Sequence, residues 1–482
     1  MKYFKAVYIF LLLMLFIIIG CSTSAGEIPV ESAPVIEAQT GEVAMDLSGI
    51  WEGLLKVQPG VELKLLFTIE KTKDGYTSML NIPQQGVTGL PIDSTTFSAS
   101  GELEFVISSI KARFTGTLQA LGGVAMIEGT FEQSGFKFPL ALAPSLQPMP
   151  AGKSQDPIPP YPYISEEVEF IQQPDGFTLA GTVTRPKAAG KYPAVVLVTG
   201  SGSQDRDEAI MGHRPFLVLS DALTKAGIVV LRYDDRGFAK SKGDASAATT
   251  TDFALDAESA FVFLTNQPYV DKTKVGILGH SEGGVIAPIV ASNNQEVGFI
   301  ILMAGTGVDG MEVLKDQSAA ILRAQGAPEA YINQIVALNE SIYRMIIEPT
   351  VDVEVQKQKV AAKLASLGVG PEEVKAQIAA LFSPWYRHFL MLDPAGYLEK
   401  TRVPVLVLNG TKDTQVTSTL NVPAIEAALI RGGNTQSTTI VYEGLNHLFQ
   451  PAQTGSVEEY ASIEITIDPQ VLNDIATWIL QR

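Results

Sequence analysis

From Glu166 onward, short runs of β-branched and other apolar residues alternate with stretches of helical periodicity. Residues 193–198, 228–231, 275–278, 299–303 and 403–408 carry almost no polar positions, as strands buried on both faces do. Helical patterns separate them, at 216–226 and 251–267 for example. Buried strands alternating with helices predict an α/β fold built on a mostly parallel sheet over 166–482. Between 307 and 398 the strand pattern stops and helical patterns such as 360–367 and 372–382 take over, which predicts a helical insertion. Upstream, residues 46–144 behave differently. Segments 102–105, 113–115 and 136–138 alternate polar and apolar residues, and turn signals recur at Asp74-Gly75, Ser100-Gly101, Gly122-Gly123 and Ser134-Gly135. Short half-buried strands at that spacing predict a small antiparallel β-barrel or sandwich. The proline-dense stretch 145–165 between the two parts reads as a semi-rigid linker.

The start of the chain fits neither pattern. A short basic opening precedes an apolar run from Val7 to Ile19, too short for a spanning helix, so residues 1–20 are expected to be an export signal. Cys21 is the only cysteine among 482 residues, which excludes an intramolecular disulfide. The sequence Ile18-Ile19-Gly20-Cys21 resembles the lipobox of bacterial lipoproteins. That resemblance implies cleavage before Cys21, lipidation of Cys21, and a membrane-anchored protein facing the periplasm or the cell exterior. Residues 21–45, rich in Ser, Glu, Ala and Pro, read as a flexible tether. The net charge of −17 argues against nucleic acid as a partner.

Chemistry concentrates at Gly279-His280-Ser281-Glu282-Gly283. In a chain with 42 glycines a bare G-x-S-x-G is not decisive, but this one lies between a predicted strand and a predicted helix. That setting is a nucleophile elbow, whose strained turn lifts the serine hydroxyl above the sheet. In that arrangement the acid and then the histidine follow the serine. Of the four histidines, His213, His280, His388 and His447, only His447 comes late enough, after a last strand at 439–441. Asp413, just beyond strand 403–408, is the expected acid, holding the imidazole in its working tautomer. Asp234 and Asp235 are rival carboxylates, but they precede the serine in a turn of structural character. The oxyanion hole is expected from the N–H groups of Glu282 and of Ser201, in the glycine-containing loop after strand 193–198.

Taken together, four segments resemble a group of bacterial carboxylesterases of the α/β-hydrolase superfamily. They are Gly-Ser-Gly-x-Gln-Asp-Arg-Asp-Glu at 200–208, the Tyr-Asp-x-Arg-Gly turn at 233–237, the His-Ser-x-Gly-Gly elbow, and Pro-Trp-Tyr-x-x-Phe at 384–389. The resemblance covers roughly 166–480 and implies an α/β-hydrolase fold with a helical cap over the acyl pocket. Trp385, Phe389 and Met391 are candidates to line that pocket, although aromatic residues on such helices also serve as core. Thr199 departs from the histidine common at its position. Near the start of the β part, Gly49-Ile50-Trp51 resembles the opening of lipocalin-like barrels. The expected activity is hydrolysis of small carboxylic esters with short to medium acyl chains through an acyl-enzyme, requiring no cofactor and no metal. A peptidase or thioesterase on the same triad is an alternative, since a triad does not report its leaving group. A non-catalytic lipoprotein binding an apolar ligand in its β part is another.

Overall fold

The computed structural model describes residues 46–482, apart from 59–60, 74, 83–86, 99, 122–123, 134–135 and 146–152. The expected export signal, Cys21 and the tether lie outside the described residues, as do Asp74 and the turn signals at 122–123 and 134–135. The described residues form two compact units. One runs to Lys153 and includes Ala209–His213, and the other comprises Ser154–Glu208 and Arg214–Arg482.

The first unit is one antiparallel sheet of nine strands. These are β1 (Gly49–Gln58), β2 (Val61–Thr72), β3 (Gly75–Ile82), β4 (Val87–Pro91), β5 (Ser94–Phe97), β6 (Glu102–Ile107), β7 (Ala112–Leu121), β8 (Val124–Gln133) and β9 (Phe136–Pro144). Their order is β4-β3-β2-β1-β9-β8-β7-β6-β5, so the sheet curls into a half-barrel in which β1 and β9 meet at the centre and β4 and β5 are edges. The alternation read in the sequence is real. Along β6, Leu103, Phe105 and Ile107 point inward and are buried while Glu102, Glu104 and Val106 are not. Phe67 stacks on Phe105 with ring centroids 4.7 Å apart, Phe114 lies 5.9 Å from Phe105, and all three are inaccessible. Each such ring contributes about 1.5–3 kcal/mol by leaving water. The buried side of the sheet is thus filled by its own phenylalanines.

In the second unit an eight-stranded sheet runs β10 (Ile164–Ile171), β11 (Thr178–Arg185), β13 (Val229–Tyr233), β12 (Tyr192–Val198), β14 (Val270–His280), β15 (Phe299–Met303), β16 (Val405–Gly410) and β17 (Ser437–Tyr442). β10 and β11 are antiparallel hairpin partners and β11 is antiparallel to β13, whereas every pair from β13 to β17 is parallel. This is the α/β-hydrolase topology. β12 shows why it reads as uninterrupted apolar sequence. Ala194, Val196 and Val198 enter the core on one face of the sheet, while Val195 and Leu197 enter the core on the other. Helices α1 (Pro215–Lys225), α2 (Thr250–Thr265), α3 (Gly283–Asn293), α10 (Ser418–Arg431) and α11 (Pro469–Leu480) cover the two faces.

Between β15 and β16 the chain forms the cap: α4 (Gly310–Ala324), α5 (Glu329–Ile347), α6 (Val353–Ser366), α7 (Pro371–Leu381), α8 (Pro384–Met391) and the short α9 (Ala395–Leu398). The cap has a small core of its own, centred on Ile342, Tyr343, Val360, Leu381 and Tyr386. This unit begins earlier than the sequence pattern indicates. The Gln155 side chain accepts from the N–H groups of Thr466 and Ile467 and donates to the Ile467 carbonyl, and Asp156 pairs with Arg214 at 2.8 Å. Those polar ties leave no periodic signature, so the end of the proline-rich stretch reads as free linker.

Candidate active site

β14 ends at His280 and α3 starts at Gly283, leaving Ser281 to turn the chain in a left-handed conformation with φ +53°. That conformation costs a non-glycine residue about 1–2 kcal/mol and persists only where the surroundings enforce it. Here they do: the Ser281 N–H donates to the Met303 carbonyl at 2.9 Å, and the flanking glycines admit backbone where no side chain fits. A Cβ on Gly279 would meet the Gly283 carbonyl oxygen at 1.8 Å, and one on Gly283 would meet the Val198 oxygen at 2.2 Å.

Two loops at the same carboxyl edge carry the other candidates. After β16, Asp413 is buried, with Oδ1 accepting from the N–H groups of Gln415 and Val416 at 2.8 and 2.9 Å. Its Oδ2 lies 2.8 Å from His447 Nδ1. A carboxylate held by two amide donors only accepts, so Nδ1 carries the hydrogen and Nε2 is left basic. His447 itself follows β17, in a loop shaped by Asn446, whose side-chain oxygen accepts from the N–H groups of Leu448 and Gln450.

The loop after β12 lies against Ser281. A Cβ on Gly200 would sit 3.1 Å from Ser281 Cβ, so the backbone of Gly200 packs closely against the serine. Glu282 caps α3, and its N–H is among the amides that a helix start leaves without an intrahelical acceptor. The turn after β13 braces this loop. Asp235 accepts from Thr199 Oγ1 and Gln204 N, and Asp234 takes the Arg206 guanidinium in two hydrogen bonds of 2.9 and 2.7 Å. The two rival carboxylates therefore support the loop, and Thr199 contributes a hydroxyl to that support. Burial holds the Asp235 carboxyl well above the usual carboxylate range, against the lowering effect of its Gln204 and Thr199 hydrogen bonds.

Two features around Ser281 have no counterpart in the sequence reading. Glu282 extends a buried carboxylate whose Oε1 accepts from Thr250 Oγ1 at 2.6 Å and from Trp385 Nε1 at 2.8 Å. Burial raises its pKa, and those hydrogen bonds oppose the rise. Trp385, expected to line the acyl pocket, thus reaches the elbow through its indole N–H, while Phe389 stacks on it at 5.4 Å and is buried in the cap core. Met391 is exposed. The second feature is His280, whose Nδ1 lies 2.8 Å from Glu208 Oε1 and whose Nε2 lies 3.0 Å from the His447 carbonyl oxygen. Burial pushes the His280 pKa down, but Glu208, the His447 carbonyl and Asp413 together raise it above the usual value. A histidine in the elbow and a glutamate ending the 200–208 motif were the available signals, but their pairing is a matter of tertiary distance. Of the other histidines, His388 sits on the cap with Nε2 3.2 Å from Thr251 Oγ1, and His213 belongs to the first unit. Among the described residues no group of three or more His, Cys, Asp or Glu side chains is arranged to hold a metal.

Residues 175–422, slightly more than half of the chain, match the family model of the X-Pro dipeptidyl-peptidases (S15 family). The chain belongs to the S15 family. This S15 protein is similar to esterase EstD of Thermotoga maritima, with 26% identity over 303 residues, 63% of the chain and 66% of EstD. It is also similar to polyketide transferase claH of Penicillium crustosum, with 30% identity over 145 residues, 28% of the chain and 42% of that protein. It thus spans just under two thirds, or less, of the curated relatives' lengths. Among solved structures, an esterase of Pyrococcus furiosus aligns over 66% of this chain and 91% of its own at 16% identity and a TM-score of 0.42. A hypothetical protein of Pseudomonas aeruginosa aligns over 70% and 99% at 15% identity and a TM-score of 0.44.

Proposed function

We propose that this S15-family chain is a serine carboxylesterase acting on small esters of short to medium acyl chains. The observation that supports the reading is a buried His447–Asp413 pair, its Nδ1–H···Oδ2 bond leaving the Nε2 lone pair free, at the same carboxyl edge of the sheet as the strained Ser281. In the first step Ser281 Oγ attacks the ester carbonyl while His447 Nε2 takes its proton. The new oxyanion is received by the N–H groups of Ser201 and Glu282. Collapse expels the alcohol, which leaves with the proton from His447, and water then hydrolyses the acyl-enzyme by the same two steps. Similarity to EstD supports an ester as substrate.

The family match favours a second reading, a dipeptidyl-peptidase. Such an enzyme must hold the substrate's α-ammonium with an acidic group near the nucleophile. Each carboxylate around the elbow is engaged through at least one oxygen: Glu282 by Thr250 and Trp385, Asp235 by Thr199 and Gln204, Asp256 by Arg236 at 2.7 Å, and Glu208 by Gly200 and His280. That argues for esters. The purified protein is expected to turn over p-nitrophenyl acetate and butyrate at least about a hundredfold faster than Ala-Pro-p-nitroanilide, a gap of about 2.7 kcal/mol in the barrier. Faster cleavage of the anilide would establish the peptidase instead.

We also propose that the protein is exported and anchored through lipid on Cys21, a reading supported by the apolar run ending in Ile-Gly-Cys. Cys21→Ala is expected to move the protein from the membrane fraction to the soluble fraction. Unchanged membrane retention would point to an uncleaved apolar segment as the anchor.

A further inference from the structure

Glu208 and His280 form an acid–base pair that takes no part in the steps above, yet it touches all three catalytic loops. Glu208 ends the oxyanion loop and turns back on it: its Oε1 accepts from the Gly200 N–H at 3.0 Å, one residue before Ser201. The same oxygen binds His280 Nδ1, and His280 is the residue directly before the nucleophile. From the other side of the ring, Nε2 meets the backbone carbonyl of the catalytic histidine. A carbonyl oxygen only accepts, so Nε2 carries a hydrogen in this arrangement. With Nδ1 facing a carboxylate that also holds an amide N–H, the pair is one imidazolium and one carboxylate, or the same proton shifted across the bond. Both side chains are buried, at 6% and 3% exposure, and the imidazole rings of His280 and His447 lie 4.7 Å apart between centroids. Glu208 also holds a left-handed backbone, φ +53°, that directs its side chain toward the elbow. Its Oε2 has no partner among the described residues, and Glu208 and His280 both line a small cavity with Phe216, Met303, Leu448 and Phe449. A fold seeking only stability would fill this place with apolar side chains, because an ion pair withdrawn from water returns little net energy.

We propose that Glu208 and His280 are positioning residues, a buried brace that fixes the Ser201 loop and the His447 loop at their working distances from Ser281. This inference rests on the serine-hydrolase reading of that site. The oxyanion loop packs on Ser281 at Gly200, and the brace is a hydrogen-bonded path from that loop to the His447 loop that bypasses the nucleophile's own side chain. Displacing a catalytic group by about 1 Å costs up to roughly a hundredfold in rate.

The test uses the full-length protein, p-nitrophenyl butyrate, and a fluorophosphonate that reports the reactivity of Ser281 independently of any ester. His280→Phe keeps an aromatic ring but removes both hydrogen bonds, and Glu208→Leu removes the acceptor. Each is expected to lower kcat and the labelling rate about ten- to a hundredfold, with KM changed less than about threefold. Glu208→Gln is expected to recover most of that loss, because its amide oxygen still accepts from Gly200 and its N–H groups can serve a neutral His280 that still donates to the His447 carbonyl. Glu208→Leu/His280→Phe is expected to be no slower than the worse single variant, as for two ends of one brace. Circular dichroism identifies variants that fail to fold. If His280→Phe fails, His280→Gln, which retains a donor but cannot span both partners, takes its place with the same expected loss. Full kcat and labelling rate in folded His280→Phe or Glu208→Leu would overturn the brace. So would losses that multiply in the double variant, or a Glu208→Gln protein as slow as the Glu208→Leu one. A wild-type protein that labels with fluorophosphonate but cleaves no ester would sink the esterase reading and leave the brace to be judged on labelling rates. Absence of labelling as well would remove both.

Discussion

Ser281→Ala is expected to lower kcat for p-nitrophenyl butyrate by roughly 10⁶-fold while leaving the protein folded. On the proposed mechanism the size of the effect follows from the loss of the atom that forms the acyl-enzyme. The oxyanion N–H groups, the cap and the His447–Asp413 pair remain, so residual rate comes from binding and polarisation alone. Folding is spared for a local reason. Alanine meets the same left-handed φ of +53° as serine, and the Ser281 N–H that donates to the Met303 carbonyl is untouched. The far-ultraviolet spectrum and unfolding midpoint are therefore expected to match the wild type. Fluorophosphonate labelling, expected on Ser281 in the wild type, should vanish in the same variant. Activity within tenfold of wild type, or a label found on another serine, would relocate the nucleophile.

What the sequence disclosed and what it withheld follow from the range of the interactions involved. Buried parallel strands announce themselves because both faces of each must be apolar, as Val195 and Val196 on opposite faces of β12 illustrate. Their ends are less legible. The strand read at 275–278 extends over Val270–His280, since Val270 pairs with Tyr192 of β12 and the polar residues 271–274 bridge an irregularity to the next pair, Ala194 with Val275. The half-barrel reads as a closed barrel or a sandwich because alternation reports which face is buried, whereas closure depends on whether the edge strands β4 and β5 pair with each other. The candidates Ser281, Asp413 and His447 can be named from chain order and the scarcity of histidine. The Asp413–His447 contact spans 34 residues and the His280–Glu208 contact 72, and no local periodicity encodes such pairings. The same holds for Trp385. Its place in an aromatic cap helix suggests a pocket wall, and only the 103-residue reach to Glu282 shows it tied to the elbow.

Asp413→Asn is the substitution for which the geometry dictates the chemistry most directly. Asparagine is the same size, and its amide can sit in the place of the carboxylate in either of two orientations. The Oδ1 position faces two N–H donors, those of Gln415 and Val416, so the amide oxygen must occupy it. Reversing the group would set an NH₂ against two amide N–H groups and leave both without an acceptor in a buried site, at about 1–3 kcal/mol each. The amide nitrogen therefore faces His447 Nδ1, where a carboxylate oxygen accepted before. Two donors cannot share a hydrogen bond, so Nδ1 gives up its hydrogen and the neutral imidazole carries it on Nε2 instead. Nε2 then has no lone pair to take the proton from Ser281, and the cation formed during attack loses the carboxylate that stabilised it. A fall in kcat of about 10⁴-fold is expected, with KM changed less than about threefold and stability nearly unchanged. Asp413→Ala is expected to differ in the second respect, because the N–H groups of Gln415 and Val416 lose their acceptor and the unfolding midpoint drops. Measuring kcat, KM and denaturant midpoints for the pair separates the two roles of this carboxylate. An Asp413→Asn protein that retains more than about a tenth of wild-type kcat would show that the imidazole is oriented by some other group.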